Sequence, residues 1–93
     1  MDLDKEQIKS RVLEKMCRGK YFGGCHVSVD DIKSGFPSHL RGKVPSIVDE
    51  MIKEGWLLPY RSKGELHVYL DPSKKEQIKA KIKEELSVDL FWI

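Results

Sequence analysis

The side chains with the widest chemical repertoire in this 93-residue sequence are two cysteines and three histidines. Cys25 and His26 are adjacent, Cys17 precedes Cys25 by eight residues, and His39 and His67 stand alone further along the chain. Zinc sites normally contain closely spaced cysteine or histidine pairs, with two to four residues between the cysteines or three to five between the histidines. Neither kind of pair occurs here, so we expect no metal site.

A cysteine–histidine nucleophile pair is the second chemistry that these residues suggest. Neighbouring side chains on a strand point to opposite faces, which argues against Cys25 and His26 acting together. Gly23 and Gly24 are the nearest approach to a phosphate-binding loop, but two glycines alone indicate only a loop. The sequence therefore predicts no catalytic residue, no cofactor and no enzyme.

Apolar residues spaced at the helical period predict a first helix over about residues 5–18. Asp4 and Gln7 have the spacing of a capping box, in which each side chain satisfies a backbone amide of the other residue. Ile8 and Val12 begin the apolar stripe of this helix.

A short second helix is predicted over about residues 29–35, with Ser28 as its cap. It ends before Pro37, because proline disfavours the α conformation in the residue that precedes it. The following turn, 36–43, is about eight residues long. An extra 3₁₀ turn within it would change how the next helix is presented.

The third predicted helix has the strongest helical pattern in the chain and runs from Val44 to the residue before Gly55. Pro45 fits its first turn, where the missing N–H costs nothing. We expect five apolar side chains of this helix to be buried, namely Val44, Ile47, Val48, Met51 and Ile52.

Period two then replaces the helical period. Apolar residues alternate through 56–60 and again through 66–70, on either side of a four-residue turn at 61–64 that contains a glycine. This pattern predicts a β-hairpin. Ser73 and Glu76 have capping-box spacing and predict the start of a last helix, whose apolar stripe is Ile78, Ile82 and Leu86.

The predicted order is helix, strand stub, helix, helix, hairpin and helix, in an α+β domain with a small antiparallel sheet that covers residues 1–93. From Ser28 to Leu70 this order resembles the winged helix-turn-helix superfamily. The resemblance rests on V-S-V-D-D-I-K, on the helix-to-hairpin junction E-G-W-L, and on a two-stranded wing ending in L-H-V-Y-L. The turn at 36–43 is longer than the usual three or four residues.

The resemblance implies DNA binding, with the third helix toward the major groove and the wing on the phosphates. Carried over by position, the contact residues would be Ser38, His39, Arg41, Lys43, Ser46, Lys53, Arg61 and Lys63. We therefore expect a small transcription regulator that binds double-stranded DNA. The alternative that these basic residues are simply solvated surface stays open, because the chain carries seventeen lysine and arginine residues in all.

Two other functions also stay open. Asp49 and Glu50 lie on the expected outer face of the third helix, where carboxylates would oppose phosphates. They favour a winged-helix protein-interaction module or assembly adaptor. The third hypothesis is binding of RNA or of single strands.

The C-terminal tail, 87–93, is strongly apolar and raises the question of a homodimer. It either folds back on its own chain or crosses to a second copy together with the last helix. The residues expected at such a dimer interface are Leu86, Val88, Leu90, Phe91, Trp92 and Ile93.

The sequence also predicts a cytoplasmic location. The N-terminal residues lack the basic and then apolar order of a signal peptide, and two cysteines are too few for a disulfide framework. The longest apolar run, Leu90–Ile93, is far shorter than the ~20 residues of a membrane span. We expect both cysteines to be reduced and no contact with a membrane.

Overall fold

The computed structural model describes residues 4–86. Five α-helices alternate with three strands and one 3₁₀ turn within this range. The elements in chain order are α1 (Lys5–Arg18), β1 (Val27–Ser28), α2 (Val29–Ser34), α3 (Ser38–Arg41), α4 (Val44–Glu54), β2 (Leu57–Ser62), β3 (Glu65–Leu70), the 3₁₀ turn Pro72–Lys74 and α5 (Lys75–Leu86). The predicted α+β class is confirmed, with one helix more than expected. The expected tail, 87–93, lies outside the described residues.

The helix starts follow from side-chain caps. The Asp4 carboxylate accepts a 2.8 Å hydrogen bond from the amide of Gln7, and the Gln7 side chain accepts one from the amide of Asp4 at 3.1 Å. The Ser28 hydroxyl accepts a 3.1 Å bond from the amide of Asp31 at the start of α2. These caps satisfy amides that have no partner within the helix, and both were predicted from sequence.

The predicted cap of the last helix is wrong. Asp71 caps this segment, and its carboxylate accepts from both the amide and the hydroxyl of Ser73, at 3.0 and 2.8 Å. The Ser73 hydroxyl is therefore committed to Asp71 inside the 3₁₀ turn, and α5 begins two residues later at Lys75. Pro72 directly after Asp71 favours this tight start, because its ring fixes φ near the helical value.

The long turn before α4 contains α3, a helix of four residues. Leu40 of α3 is buried in the core and fixes this segment. The Arg41 guanidinium Nε donates to the carbonyl oxygen of Phe36 at 2.9 Å, which closes the turn on itself. The extra residues at 36–43 therefore form a short α-helix, where the sequence suggested a 3₁₀ turn.

The three strands form one antiparallel sheet in the order β1-β3-β2. Leu57 is opposite Leu70 and Pro59 is opposite Val68. Leu57, Val68 and Leu70 are fully buried in the core, whereas Pro59 is exposed. The apolar alternation located β2, but its residues Leu58 and Tyr60 lie on the outer face while Leu57 is fully buried. The register with β3 decides the buried face, and the alternation alone does not.

The turn of the hairpin is tighter than predicted. It consists of Lys63 and Gly64, with φ values of 51° and 82°, while Arg61 and Ser62 belong to β2. Two successive positive φ values are typical of the two-residue turns that match the twist of a hairpin. Gly64 suits this position because it lacks a Cβ.

The core lies between the sheet and the helices. It combines α1, α2, α4 and α5 with Leu57, Val68 and Leu70 of the sheet. Ile78 and Ile82 of α5 are fully buried, and α5 packs mainly on α1. This arrangement leaves one long side of α4 and the tip of the hairpin at the surface.

Candidate nucleic-acid interface

The outer side of α4 is the surface that the resemblance assigns to the major groove. Of the five apolar residues expected to be buried, Ile52 is only half-buried. The others, Val44, Ile47, Val48 and Met51, are buried. Ser46, Asp49 and Lys53 are exposed on the opposite side, as the helical phase predicted. The outer side of α4 thus carries one hydroxyl, one carboxylate and one ammonium group.

The start of α4 is basic. Lys43 occupies the cap position without a side-chain hydrogen bond to the helix, and Pro45 lies in the first turn. The Ser46 hydroxyl donates to the carbonyl oxygen of Lys43 at 3.1 Å, so it bonds locally in this structure. The positive end of the helix dipole and the Lys43 ammonium group both favour an anion here.

The residues of α3 do not all join this surface. Ser38, His39 and Arg41 are exposed, but His39 lines a groove of about 980 Å³ on the other side of α3. Arg41 is bound to the backbone of its own turn, where its Nη2 reaches the carbonyl oxygen of Ser34 at 3.4 Å and its Nε bonds Phe36. The structure therefore gives Arg41 a role in holding the turn that sequence reasoning missed.

The groove beside His39 is bordered by three further cations from α1, which sequence reasoning also missed. Arg11, Lys15 and Arg18 line it, together with the carboxylates Glu14 and Asp31. The three cations are spaced at four and three residues, which places them on one face of α1. This spacing is visible in the sequence and could have predicted the basic face of α1.

The tip of the hairpin carries the other two predicted contacts. Arg61 and Lys63 are both exposed. Lys63 lies in the turn itself, and Arg61 is in β2 opposite Leu66. Two cations at the end of a projecting hairpin suit contact with phosphates.

Carboxylates separate the wing from α4. Asp30, Asp49 and Glu65 line a groove of about 310 Å³ between the start of α2, the outer side of α4 and β3. Ser28 and Leu66 complete part of its lining. Any phosphate backbone that crossed this groove would meet negative charge, so the cations favour contact only at the ends of α4 and at the hairpin tip.

Glu50 does not lie beside Asp49 on the outer side, which corrects the prediction. Its carboxylate faces α1 and lies 3.3 Å from the ammonium groups of both Lys5 and Lys9. The phase of the helix explains this, because one residue turns the side chain by about 100°. Only Asp49 of the two carboxylates opposes an approaching phosphate.

The Lys9 ammonium group is the centre of this contact between α1 and α4. The side chain is 2% exposed and lies within 3.3 Å of Glu6, Glu50 and Glu54. Burial alone would lower the pKa of Lys9, but the hydrogen bonds that its ammonium group donates to Glu54, Glu6 and Glu50 raise it well above its usual value. Lys9 is therefore charged and ties α4 to the first helix.

An aromatic cluster on the outer face of the sheet was not predicted. It consists of His26, Tyr60 and His67. The Nδ1 atoms of His26 and His67 are 2.8 Å apart, and the His26 ring stacks on Tyr60. The sequence showed these residues only as separate histidines and as one position of an alternating strand.

The cysteines do not combine with histidines into a ligand set. Cys17 is buried and Cys25 is exposed, and neither forms a disulfide. Burial, and then the Glu14 carboxylate, raise the pKa of Cys17 to about 11, which keeps this thiol protonated at neutral pH. Within residues 4–86, no three histidine, cysteine or acidic side chains are placed to hold a metal ion. No helix in the same range is long and apolar enough to cross a membrane.

The comparisons with known proteins bear on the fold. No family model and no curated protein matches the sequence. A solved structure described as a "possible transcriptional regulator for arsenical resistance" is similar over 99% of this chain and 88% of its own, with a TM-score of 0.55 and 18% identity. The likeness concerns the fold, and the element order of the chain, with a hairpin directly after α4, is the winged-helix arrangement expected from the sequence.

Proposed function

We propose that this chain is a small, cytoplasmic, non-enzymatic protein that binds double-stranded DNA and regulates transcription. The outer side of α4 lies toward the major groove, and the hairpin tip contacts phosphates. The observation that carries the proposal is the pairing of an exposed, partly basic α4 with a projecting hairpin that ends in Arg61 and Lys63. The similar structure described as a possible transcriptional regulator supports it.

The contacts divide by position. Lys43 and Ser46 lie at the start of α4, and Lys53 lies near its end. Ser38 lies at the start of α3. His39 lines the neighbouring groove, and Arg41 is bonded within its own turn. Sequence readout is therefore concentrated at the start of α4, and the remaining cations position the duplex.

The test is duplex binding at several salt concentrations. The double variant Arg61→Ala with Lys63→Ala is expected to weaken binding to all duplex sequences. The slope of log affinity against log salt concentration should fall by about two, because two fewer phosphates are neutralised. Arg11→Ala with Lys83→Ala is the matched control, because it removes the same charges from exposed positions on α1 and α5. An unchanged salt slope in the wing variant, or an equal effect in the control, would remove the wing from the interface.

A protein-interaction function is the second candidate, and one observation favours it. The groove lined by Asp30, Asp49 and Glu65 offers three carboxylates to a basic partner at the centre of the surface. An adaptor of this kind shows no binding to random duplex at low salt, whereas a phosphate-binding protein binds it strongly.

A further inference from the structure

The aromatic cluster lies on a face of the sheet that the proposed duplex contacts do not use. Tyr60 of β2 is opposite His67 of β3, and His26 directly precedes β1. The His26 and Tyr60 rings are stacked, with centroids 4.2 Å apart and planes 21° from parallel. His26 and His67 meet edge to face with centroids 4.7 Å apart. The three side chains thus form one continuous aromatic surface.

Tyr60 is the outermost ring of this surface. Tyr60 is 47% exposed, and no other large hydrophobic side chain among residues 4–86 is exposed. His26 stacks on one face of the ring, and about half of the residue is still open to water. An aromatic face open to water next to a ring that is already stacked favours a further planar group in the same stack.

The cluster is held in place before any ligand arrives. One imidazole donates and the other accepts across the 2.8 Å between the Nδ1 atoms of His26 and His67. The Nε2 atom of His67 lies 3.6 Å from a carboxylate oxygen of Glu65. His26 is therefore fixed behind the Tyr60 ring, which reduces the entropy lost when a ligand stacks there.

The size and charge of the surroundings select the ligand. One exposed ring is far smaller than the roughly 800 Å² that each partner buries in a standard protein interface. It matches the face of a single base. Lys63 is exposed in the turn that follows β2, three residues beyond Tyr60, where its cation can meet the phosphates of the same strand. Arg61, the next residue of β2, points to the other face of the sheet. Stacked rings beside cations are the combination that binds single-stranded nucleic acid.

We propose that the open face of Tyr60 binds one unpaired base of single-stranded DNA, backed by His26 and His67. This activity is separate from duplex binding by α4. The assignment to DNA follows from the position of Tyr60 in the same hairpin as the wing cations, which lie beside the proposed duplex. Affinity depends little on sequence, because every base has a face that can stack.

The test uses a thymidine oligonucleotide with one 2-aminopurine, whose fluorescence is quenched when the base stacks. The intact protein is expected to bind the strand and quench the emission. Tyr60→Leu is expected to weaken binding about tenfold and to abolish the quenching, which is the order of effect of losing one stacked base. Tyr60→Phe keeps the ring and is the matched control, with affinity and quenching close to those of the parent.

Duplex DNA of the same sequence separates this proposal from the proposed function. Tyr60→Leu is expected to leave duplex affinity within twofold of the parent. If the parent binds single strands through Tyr60 but binds no duplex, the proposed function fails and the stacking site stands. If duplex binding is present while Tyr60→Leu binds and quenches the single strand like the parent, the stacking site is wrong. Tighter, Tyr60-dependent binding of an RNA strand would overturn the assignment to DNA.

Discussion

Lys9 joins α1 to α4 through a buried ammonium group. Its buried ammonium group bonds Glu54 of α4 at 2.9 Å and also contacts Glu50, whereas the carboxylates themselves are partly exposed. Water can therefore solvate the carboxylates if the contact is lost, but the buried Lys9 ammonium group has no water to take their place. The interaction therefore fixes α4 on α1 and contributes more to stability than an exposed ion pair does.

We expect Lys9→Met to lower the free energy of unfolding by about 1.5–3 kcal/mol, the range for losing hydrogen bonds to a charged group. Methionine fills much the same volume as lysine, so the lost stability measures the contribution of the charged ammonium group. Urea denaturation measures it, and Lys5→Met is the control, because Lys5 contacts Glu50 but is largely exposed. Equal stability of the two variants would show that Lys9 does not anchor α4.

The same anchor gives stability a dependence on pH. Hydrogen bonds from Lys81 and Lys9 lower the pKa of Glu6, and those from Lys5 and Lys9 lower the pKa of Glu50, both from an ordinary value of 4.5. A lowered carboxyl pKa adds stability that is present above the ordinary value and is lost as pH falls through the value in the folded state. The parent should therefore lose more stability than Lys9→Met as the solution is acidified below about pH 4.5.

At the scale of elements, α4 and the wing share a surface that is divided by charge. The cations lie at the ends of α4 and at the hairpin tip, and Asp49 lies between them at the acidic groove. A carboxylate in that place weakens duplex binding through repulsion, unless it accepts a hydrogen bond from a cytosine amino group. Asp49 therefore decides how closely the centre of α4 approaches the groove of DNA.

Asp49→Asn is expected to tighten binding to random duplex several-fold at low salt, and the gain should shrink as salt rises, because the removed repulsion is screened. Glu50→Gln makes the same change of charge one residue further along but faces α1, so it should change duplex affinity little. Filter binding or fluorescence anisotropy measures both. If the two variants gain equally, the effect is one of net charge and Asp49 has no local role.

The elements show what the sequence could and could not predict. The ends of α1 and α4 and the existence of the hairpin were predictable, because caps, glycines and apolar periods are local signals. The pairing of Lys9 with Glu50 and of His26 with His67 joins residues 41 positions apart. No periodicity encodes such a contact, which depends on how α1 meets α4 and how β1 meets β3. Lys9, a charged residue in an apolar stripe, was the one local hint of a buried ion pair.

The whole molecule raises the question of its oligomeric state. Ile78 and Ile82 of α5 are already buried within the chain, and Leu86 packs partly against the core. Apart from Tyr60, residues 4–86 leave no large hydrophobic side chain exposed. The described surface therefore offers little apolar area for a second copy, and the predicted homodimer depends on Leu86 and on the apolar segment 87–93.

We expect the intact chain to be a homodimer through that segment. Burial of each of its large apolar side chains contributes about 1.5–3 kcal/mol, and the residues concerned are Val88, Leu90, Phe91, Trp92 and Ile93. A two-fold pair would place two copies of α4 on successive half-sites about one turn of DNA apart, which increases affinity without new contacts in either copy. Sedimentation equilibrium should give twice the chain mass for the intact protein and the mass of one chain for a variant ending at Leu86. If the intact protein stays monomeric at high micromolar concentration and the shortened chain only unfolds more easily, the segment folds back on its own copy instead.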